Sequence, residues 1–471
     1  MTKQITRMTI GKVVLFFLIL SLPARSSVYV HWSTPEMPPA SSLGVNQIVF
    51  SLLGDISPQV ATARKQGYRV YVETPIQQAQ AAAEQGAKAG WAGIILDLPE
   101  GESREFDDLV ANLRSACPKL EVLLLNRNGK QPEMRGSLII KRDSVLEVSS
   151  PTAQPWIDTN LALIRVERRS RLPQIPLYTF AWTDEGQQEK LTVDDYSLAV
   201  AEADAFHADL VLQLDEHLQQ ALSKRDVNAW ALWDQVRSML KFSPDAREAA
   251  LEPAANVAVI VDHFDTSDEV LNLLSRHNIP FQVFLAADLK AAQLKGFDVV
   301  IALAKLNAET AEQINHLASG AATVVLVDAH GTYSWQSTQP VQLNEHTTSY
   351  VVGNGKILEL AEPVTDPEIF AQDIRRLLGK HNSLVSLWNG LTTIAVPYKD
   401  GNETVRLLEL VNYAGEPLRL QVRAKGSFTA IRYETPEHGC CQSLEPVNRD
   451  GFTEFLIPEL RIAGRVHMEP Q

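Results

Sequence analysis

From residue 28 to about 242, short apolar runs rich in Val, Ile, Leu and Tyr alternate with stretches whose apolar residues recur at helical spacing. The runs predict strands at 28–32, 47–52, 69–73, 93–97, 121–125, 176–182 and 209–214. The stretches between them predict helices at 58–66, 76–89, 106–116, 156–168, 194–206 and 227–240. Strand-then-helix units repeated in this way build a parallel sheet with right-handed crossovers, and about 215 residues of them suit a (β/α)8 barrel of the TIM-like kind. The barrel is expected to be irregular. Seven strands stand out, little room is left for a helix between the first two, and an insertion after Leu125 reads as a hairpin, with one arm over 145–148, that could complete the barrel.

A Pro-, Ala- and charge-rich stretch near 242–256 marks a boundary, after which a new α/β pattern begins. Strands at 257–261, 281–285, 299–301 and 324–327 alternate with helices near 268–276, 287–293 and 308–317, giving a small Rossmann-like doubly wound sheet over 253–381. Its later part holds a hairpin at an Asn-Gly step and a closing helix over 366–379. From residue 382 onward the helical period disappears, and short alternating strands separated by Gly, Pro, Asn and Asp predict an all-β sandwich over 382–471. The expected organisation is therefore a leader over 1–26, a barrel over 27–245, the Rossmann-like unit and the sandwich.

Length and composition agree with this division, since 471 residues exceed one hydrophobic core. Hydrophobic residues make up 45% and charged residues 21%, as in ordinary globular chains. The net charge of −14 is spread over mixed-sign surroundings without a Lys/Arg block, which argues against a nucleic-acid partner. Lys3, Arg7 and Lys12 precede the apolar run 13–22, followed by Pro23 and the small-residue site Ala24-Arg25-Ser26. These are the parts of a secretory signal peptide, and the run is shorter than the roughly 20 residues a membrane helix needs. Export to the periplasm or beyond is expected, with cleavage near Ser26 and no membrane attachment afterwards. Three cysteines, Cys117 and the adjacent Cys440 and Cys441, form neither a disulfide framework nor metal-ligand spacing.

Chemistry in a barrel sits at the carboxyl ends of the strands. The stretch Gly93-Ile94-Ile95-Leu96-Asp97-Leu98-Pro99-Glu100-Gly101 is an apolar strand running into a carboxylate, and Asp97 is the first catalytic candidate. Further strand-end carboxylates are Glu73, Glu147, Asp184, Glu185, Asp215 and Glu216, and five such ends are a stronger signal than any one. Glu147 and Glu185 are the candidate partners of Asp97, while Glu73, Asp184 and Asp215 are candidate binding groups. Acidic residues after strands also cap helices, which is the plain alternative for each. Trp32 and Trp182 end strands where flat rings could stack on a ligand, and Asn126, Arg127 and Asn128 could donate hydrogen bonds or simply form a turn.

The order of leader, barrel, Rossmann-like unit and sandwich resembles the secreted glycoside hydrolases of the clan containing the multidomain β-galactosidases. The resemblance implies a catalytic barrel, a carbohydrate substrate, and an amidotransferase-like middle domain used for homo-oligomer formation. The segment Gly90-Trp91-Ala92-Gly93-Ile94-Ile95-Leu96-Asp97 is also similar to the fourth strand of polygalactosaminidases and chitinase-like proteins, where such an Asp lies in the sugar site. The Asn-Glu pair that ends strand four in the β-galactosidases is absent. Glycoside hydrolysis needs two carboxyl groups, one holding a proton and one ionised, roughly 5–10 Å apart across the sugar. If Asp97 stands alone or is tied up by an arginine, the hydrolase reading fails, leaving a barrel that binds carbohydrate, or serves cell-surface assembly, without catalysis.

Other chemistries find no support in the residues. No Cys lies between Cys117 and Cys440, so the middle unit lacks an amidotransferase nucleophile, and Asp328-Ala329-His330-Gly331 occupies the place of such an elbow. Dinucleotide and phosphate-loop glycine patterns are missing, as is Gly-x-Ser-x-Gly. The eleven histidines are scattered without metal spacing, so neither a cofactor nor a metal is expected.

Overall fold

The computed structural model describes residues 27–471 apart from 100, 102, 136–138, 143, 144, 149–154, 172, 173 and 183–190, and only the backbone of 139–142, 145–148, 291 and 292. The leader 1–26 and its expected cleavage region up to Ser26 lie outside the described residues.

Seven strands close a barrel in chain order: β1 Val28–His31, β2 Gln47–Ser51, β3 Arg69–Glu73, β4 Gly93–Asp97, β5 Glu121–Gly129, β6 Leu177–Phe180 and β7 Asp209–Gln213. All neighbours are parallel, and β1 completes the ring by pairing with β7, Val28 opposite Leu210 and His31 opposite Gln213. No eighth strand joins the ring among the described residues. The insertion after β5 instead makes two separate two-stranded ribbons, Glu133–Arg135 with Trp156–Asp158 and Ile139–Arg142 with Val145–Val148. The helix expected over 156–168 is thus shorter, Leu161–Ser170, because its first turn is taken by the ribbon strand.

The alternation of side chains along each strand decides what fills the ring. Tyr29, Val49, Tyr71, Ile95, Leu125, Leu177 and Val211, one per strand, meet in an apolar plug at the centre. Their outward neighbours, such as Val30, Ile48, Val72, Ile94 and Leu212, pack beneath the surrounding helices in the main core.

The second sheet has the order Phe281–Leu285, Val257–Val261, Val299–Ala302, Thr323–Leu326, Gly355–Leu360, Thr347–Val352, Pro340–Asn344, parallel except for its last two pairings. It carries the helices Asp268–Arg276, Ala308–Ser319 and Pro367–Asn382. The chain ends in a six-stranded sheet facing a four-stranded one around a shared core that includes Leu408, Leu420, Phe428, Phe455 and Val466. The fold is therefore a TIM-like barrel followed by an α/β sheet and a β-sandwich.

The three parts are bonded to one another. Tyr398 and Tyr413 of the sandwich enter the barrel's core, and the Tyr413 hydroxyl donates to Glu202 of the helix Val193–Ala205. Glu202 also accepts from the Asn160 side-chain amide at 2.6 Å. Asn278, at the end of the first helix of the second sheet, donates to Thr393 O at 3.0 Å and accepts from Ala395 N at 2.7 Å.

Candidate functional site at the barrel mouth

Two residues beyond each member of the plug, every strand places a polar residue: His31, Ser51, Glu73, Asp97, Arg127, Thr179 and Gln213. The period of two points these seven toward the barrel axis at its carboxyl end, one layer above the plug. The strands bury everything below, so this layer is where the interior meets the mouth.

Four members form a charged group. The Arg127 guanidinium forms ion pairs with two carboxylates, Nη2 with Glu73 Oε1 and Nε with Asp97 Oδ1 at 2.9 Å. His31 Nε2 lies 3.8 Å from Glu73 Oε2 and 3.0 Å from Ser51 Oγ. Glu73 is the deeper carboxylate, with 14% of its side chain exposed, whereas Asp97 has 47%. One guanidinium shared between them keeps the two carboxyl groups inside the roughly 10 Å limit for a pair acting across one sugar ring.

The two carboxylates are not held alike. Asp97 Oδ1 is buried, yet its contact with Arg127 lies outside hydrogen-bond geometry. Loss of water pushes the Asp97 carboxyl above its ordinary range. Arg127 thus pairs with both carboxylates, and burial favours the protonated form of Asp97. Burial, and then the charge of Arg127, lowers the His31 pKa, so its imidazole is neutral at pH 7.

Other predicted site residues fall elsewhere. Trp32 does not line the mouth. It is one residue past the inward His31 and so points outward, 1% exposed, with its indole N–H donating to Glu36 O at 2.9 Å. Asn126 likewise faces outward from β5 and is buried, donating to Glu167 Oε2 at 3.2 Å and accepting from Asn128 N at 2.9 Å. Asp215 caps the helix Glu216–Ser223, its Oδ1 accepting from Leu218 N at 3.1 Å. Trp182 is at the rim, where its indole donates to Gln213 O at 2.9 Å and its ring meets Phe180 and Tyr196 edge-on. Asp184, Glu185 and the side chain of Glu147 lie outside the described residues.

His31, Ser51, Thr179 and Gln213 were not singled out by the sequence reading. The signal was present as an apolar residue followed two positions later by a polar one in all seven strands, Tyr-x-His, Val-x-Ser, Tyr-x-Glu, Ile-x-Asp, Leu-x-Arg, Leu-x-Thr and Val-x-Gln.

Among the described residues one group of potential metal ligands comes together, Glu434, Cys441 and His467. Cys441 is in a disulfide with Cys440, and Glu434 accepts from Arg465 Nη1 at 3.0 Å, so the cluster is an ion-pair network with its acceptor already used.

No known protein family matches the chain by sequence, and no curated protein does. Solved structures do match in shape. The α-L-fucosidase isoenzyme 2 of Paenibacillus thiaminolyticus superposes with a TM-score of 0.59 at 12% identity, over 95% of this chain and 100% of that one. The β-galactosidase of Bacillus circulans sp. alkalophilus gives 0.40 at 12%, covering 88% of this chain and 66% of that chain. An exo-β-1,4-mannosidase from Opitutaceae bacterium strain TAV5 gives 0.47 at 10%, covering 78% and 96%. At these identities the likeness concerns the fold alone, a TIM-like barrel with the sheets that follow it, and the superposition on the fucosidase carries that statement.

Proposed function

We propose that the chain is an exported glycoside hydrolase that takes a poly- or oligosaccharide at the barrel mouth, with Asp97 as one half of its carboxyl pair. The observation that carries this reading is the converging polar layer in which Asp97, at the end of β4, is desolvated, half exposed and outside directed bonding with Arg127. A carboxyl group raised in this way suits proton donation to the leaving oxygen. The ionised partner is drawn from Glu185, which follows the rim residue Trp182 by three positions, or from Glu147. Glu73, neutralised by Arg127, holds the guanidinium in place. Trp182 offers a ring at the edge for a sugar face.

A second reading follows from the same arginine. If Arg127 occupies the mouth in place of a ligand, the barrel binds carbohydrate without cleaving it, and the second sheet serves assembly, including homo-oligomer formation.

Screening against dyed and chromogenic glycans, alongside Asp97→Asn, separates the two. A hydrolase should lose about 10³-fold in kcat with Asp97→Asn while its circular dichroism is unchanged. Glycan binding without turnover by the parent chain would support the second reading, and full activity in Asp97→Asn would remove Asp97 from the chemistry.

A further inference from the structure

The opposite, amino-terminal end of the barrel carries a hollow lined by Ser27, Tyr29, Gln47, Arg69, Glu121 and Asp209. Asp209 opens β7 there, and its side chain is buried against the seam where β7 closes on β1. Its Oδ1 accepts a hydrogen bond of 2.6 Å from the backbone nitrogen of Ser27, the residue just before β1.

We propose that Ser27 is the first residue of the processed protein and that its α-ammonium forms an ion pair with Asp209 that fastens the barrel seam. The proposal rests on the export reading and on three independent observations. Ala24 and Ser26 stand at the two small-residue positions before the 26–27 bond that a signal peptidase requires. Val28 is already in strand register with Leu210, so a terminus at Ser27 has a one-residue tether and is held against Asp209. The third observation is charge. A peptide N–H brings none to a buried carboxylate, which is costly to keep ionised without a counter-charge.

Among the described residues no cation forms an ion pair with Asp209, although the charge of Arg168 acts on it. Arg69 pairs with Glu121, which also accepts from the Tyr71 hydroxyl at 2.8 Å. Arg168 donates to the carbonyls of Phe206 and His207. With an uncharged amide at Ser27, burial above all pushes the Asp209 carboxyl up to about 8, against the hydrogen bond from the Ser27 nitrogen, with Asp204 and Glu121 adding to the rise and Arg168 opposing it. Cleavage of the 26–27 peptide bond by water leaves a carboxylate on Ser26 and an amine on Ser27. The amine takes up a proton and brings a positive charge into direct contact with Asp209.

Two chains test the pair. One is released from a fusion so that Ser27 is residue one, and the other retains residues 24–26, so that the Ser27 nitrogen remains an amide. The first should melt a few degrees higher at pH 7, and the difference should vanish when both carry Asp209→Asn. Equal melting of the two parent chains overturns the ion pair. A second readout is slow acylation of the α-amine in the folded Ser27 chain, faster in Asp209→Asn, and equal rates again overturn the ion pair. Terminal sequencing of the full chain after export should give Ser27, and a different first residue overturns the processing site. Full-length chain retained in the cytosol would instead refute export, while the melting comparison still reports on the ion pair.

Discussion

Arg127 is the residue on which the mouth turns, because one guanidinium serves two carboxylates of different depth. Replacing it with Met keeps most of the aliphatic stem and leaves Glu73 largely buried beside a neutral imidazole. The loss in stability should be about 2 kcal/mol, less than for a fully buried pair because the group is partly solvated. The same change removes the charge that helps depress His31, and Glu73 Oε2 is only 3.8 Å from its Nε2. His31 should then titrate at a higher pH than in the parent, as followed by NMR of the ring protons. An unchanged His31 titration would show that Arg127 does not govern this layer.

At the scale of the element, the strands work through their period of two, and β4 depends on the smallest side chain available. A Cβ added to Gly93 would lie 2.6 Å from the carbonyl of Glu121 and 2.8 Å from the Tyr71 ring. Neither can yield, since the first is ladder backbone and the second belongs to the central plug. Gly93→Ala is expected to cost about 3 kcal/mol by denaturant unfolding and to disturb the mouth through Asp97, which shares the strand. Legibility in the sequence followed the same line. Strands β3 and β4 were predicted to the residue because apolar runs end on a carboxylate. The helix start after Asp158 was misread because Asn160 is used tertiarily, its side chain bonding Glu202 and Lys130 O.

For the whole molecule, the joint between barrel and sandwich holds a carboxylate away from water. Burial raises Glu202 to about 7, against hydrogen bonds from Tyr413, Asn160 and Thr159 that favour its ionised form. An acid whose folded pKa lies above its unfolded value contributes stability that is complete below about pH 4.5 and declines as pH rises toward 7. Glu202→Gln should remove that decline, worth roughly 2 kcal/mol between pH 5 and 7, leaving whatever slope Glu409 and Asp209 impose over the same range. Melting curves of parent and variant across that range test it, and parallel slopes would mean that Glu202 does not titrate on unfolding.

Hydrophobic periodicity by itself determined the strands of the barrel, the parallel α/β sheet after it and the terminal β-sandwich, because burial of one face or both is written into each run locally. It also supplied Asp97, since a carboxylate ending an apolar strand has only the rim to go to. What the tertiary structure alone decided is which polar residues share the mouth. Inward or outward direction changes with every residue, so Trp32 and Asn126 point away while His31 and Arg127 point in. Whether a charge is free or spent depends on partners that lie tens of residues away in sequence and meet only when the ring has closed.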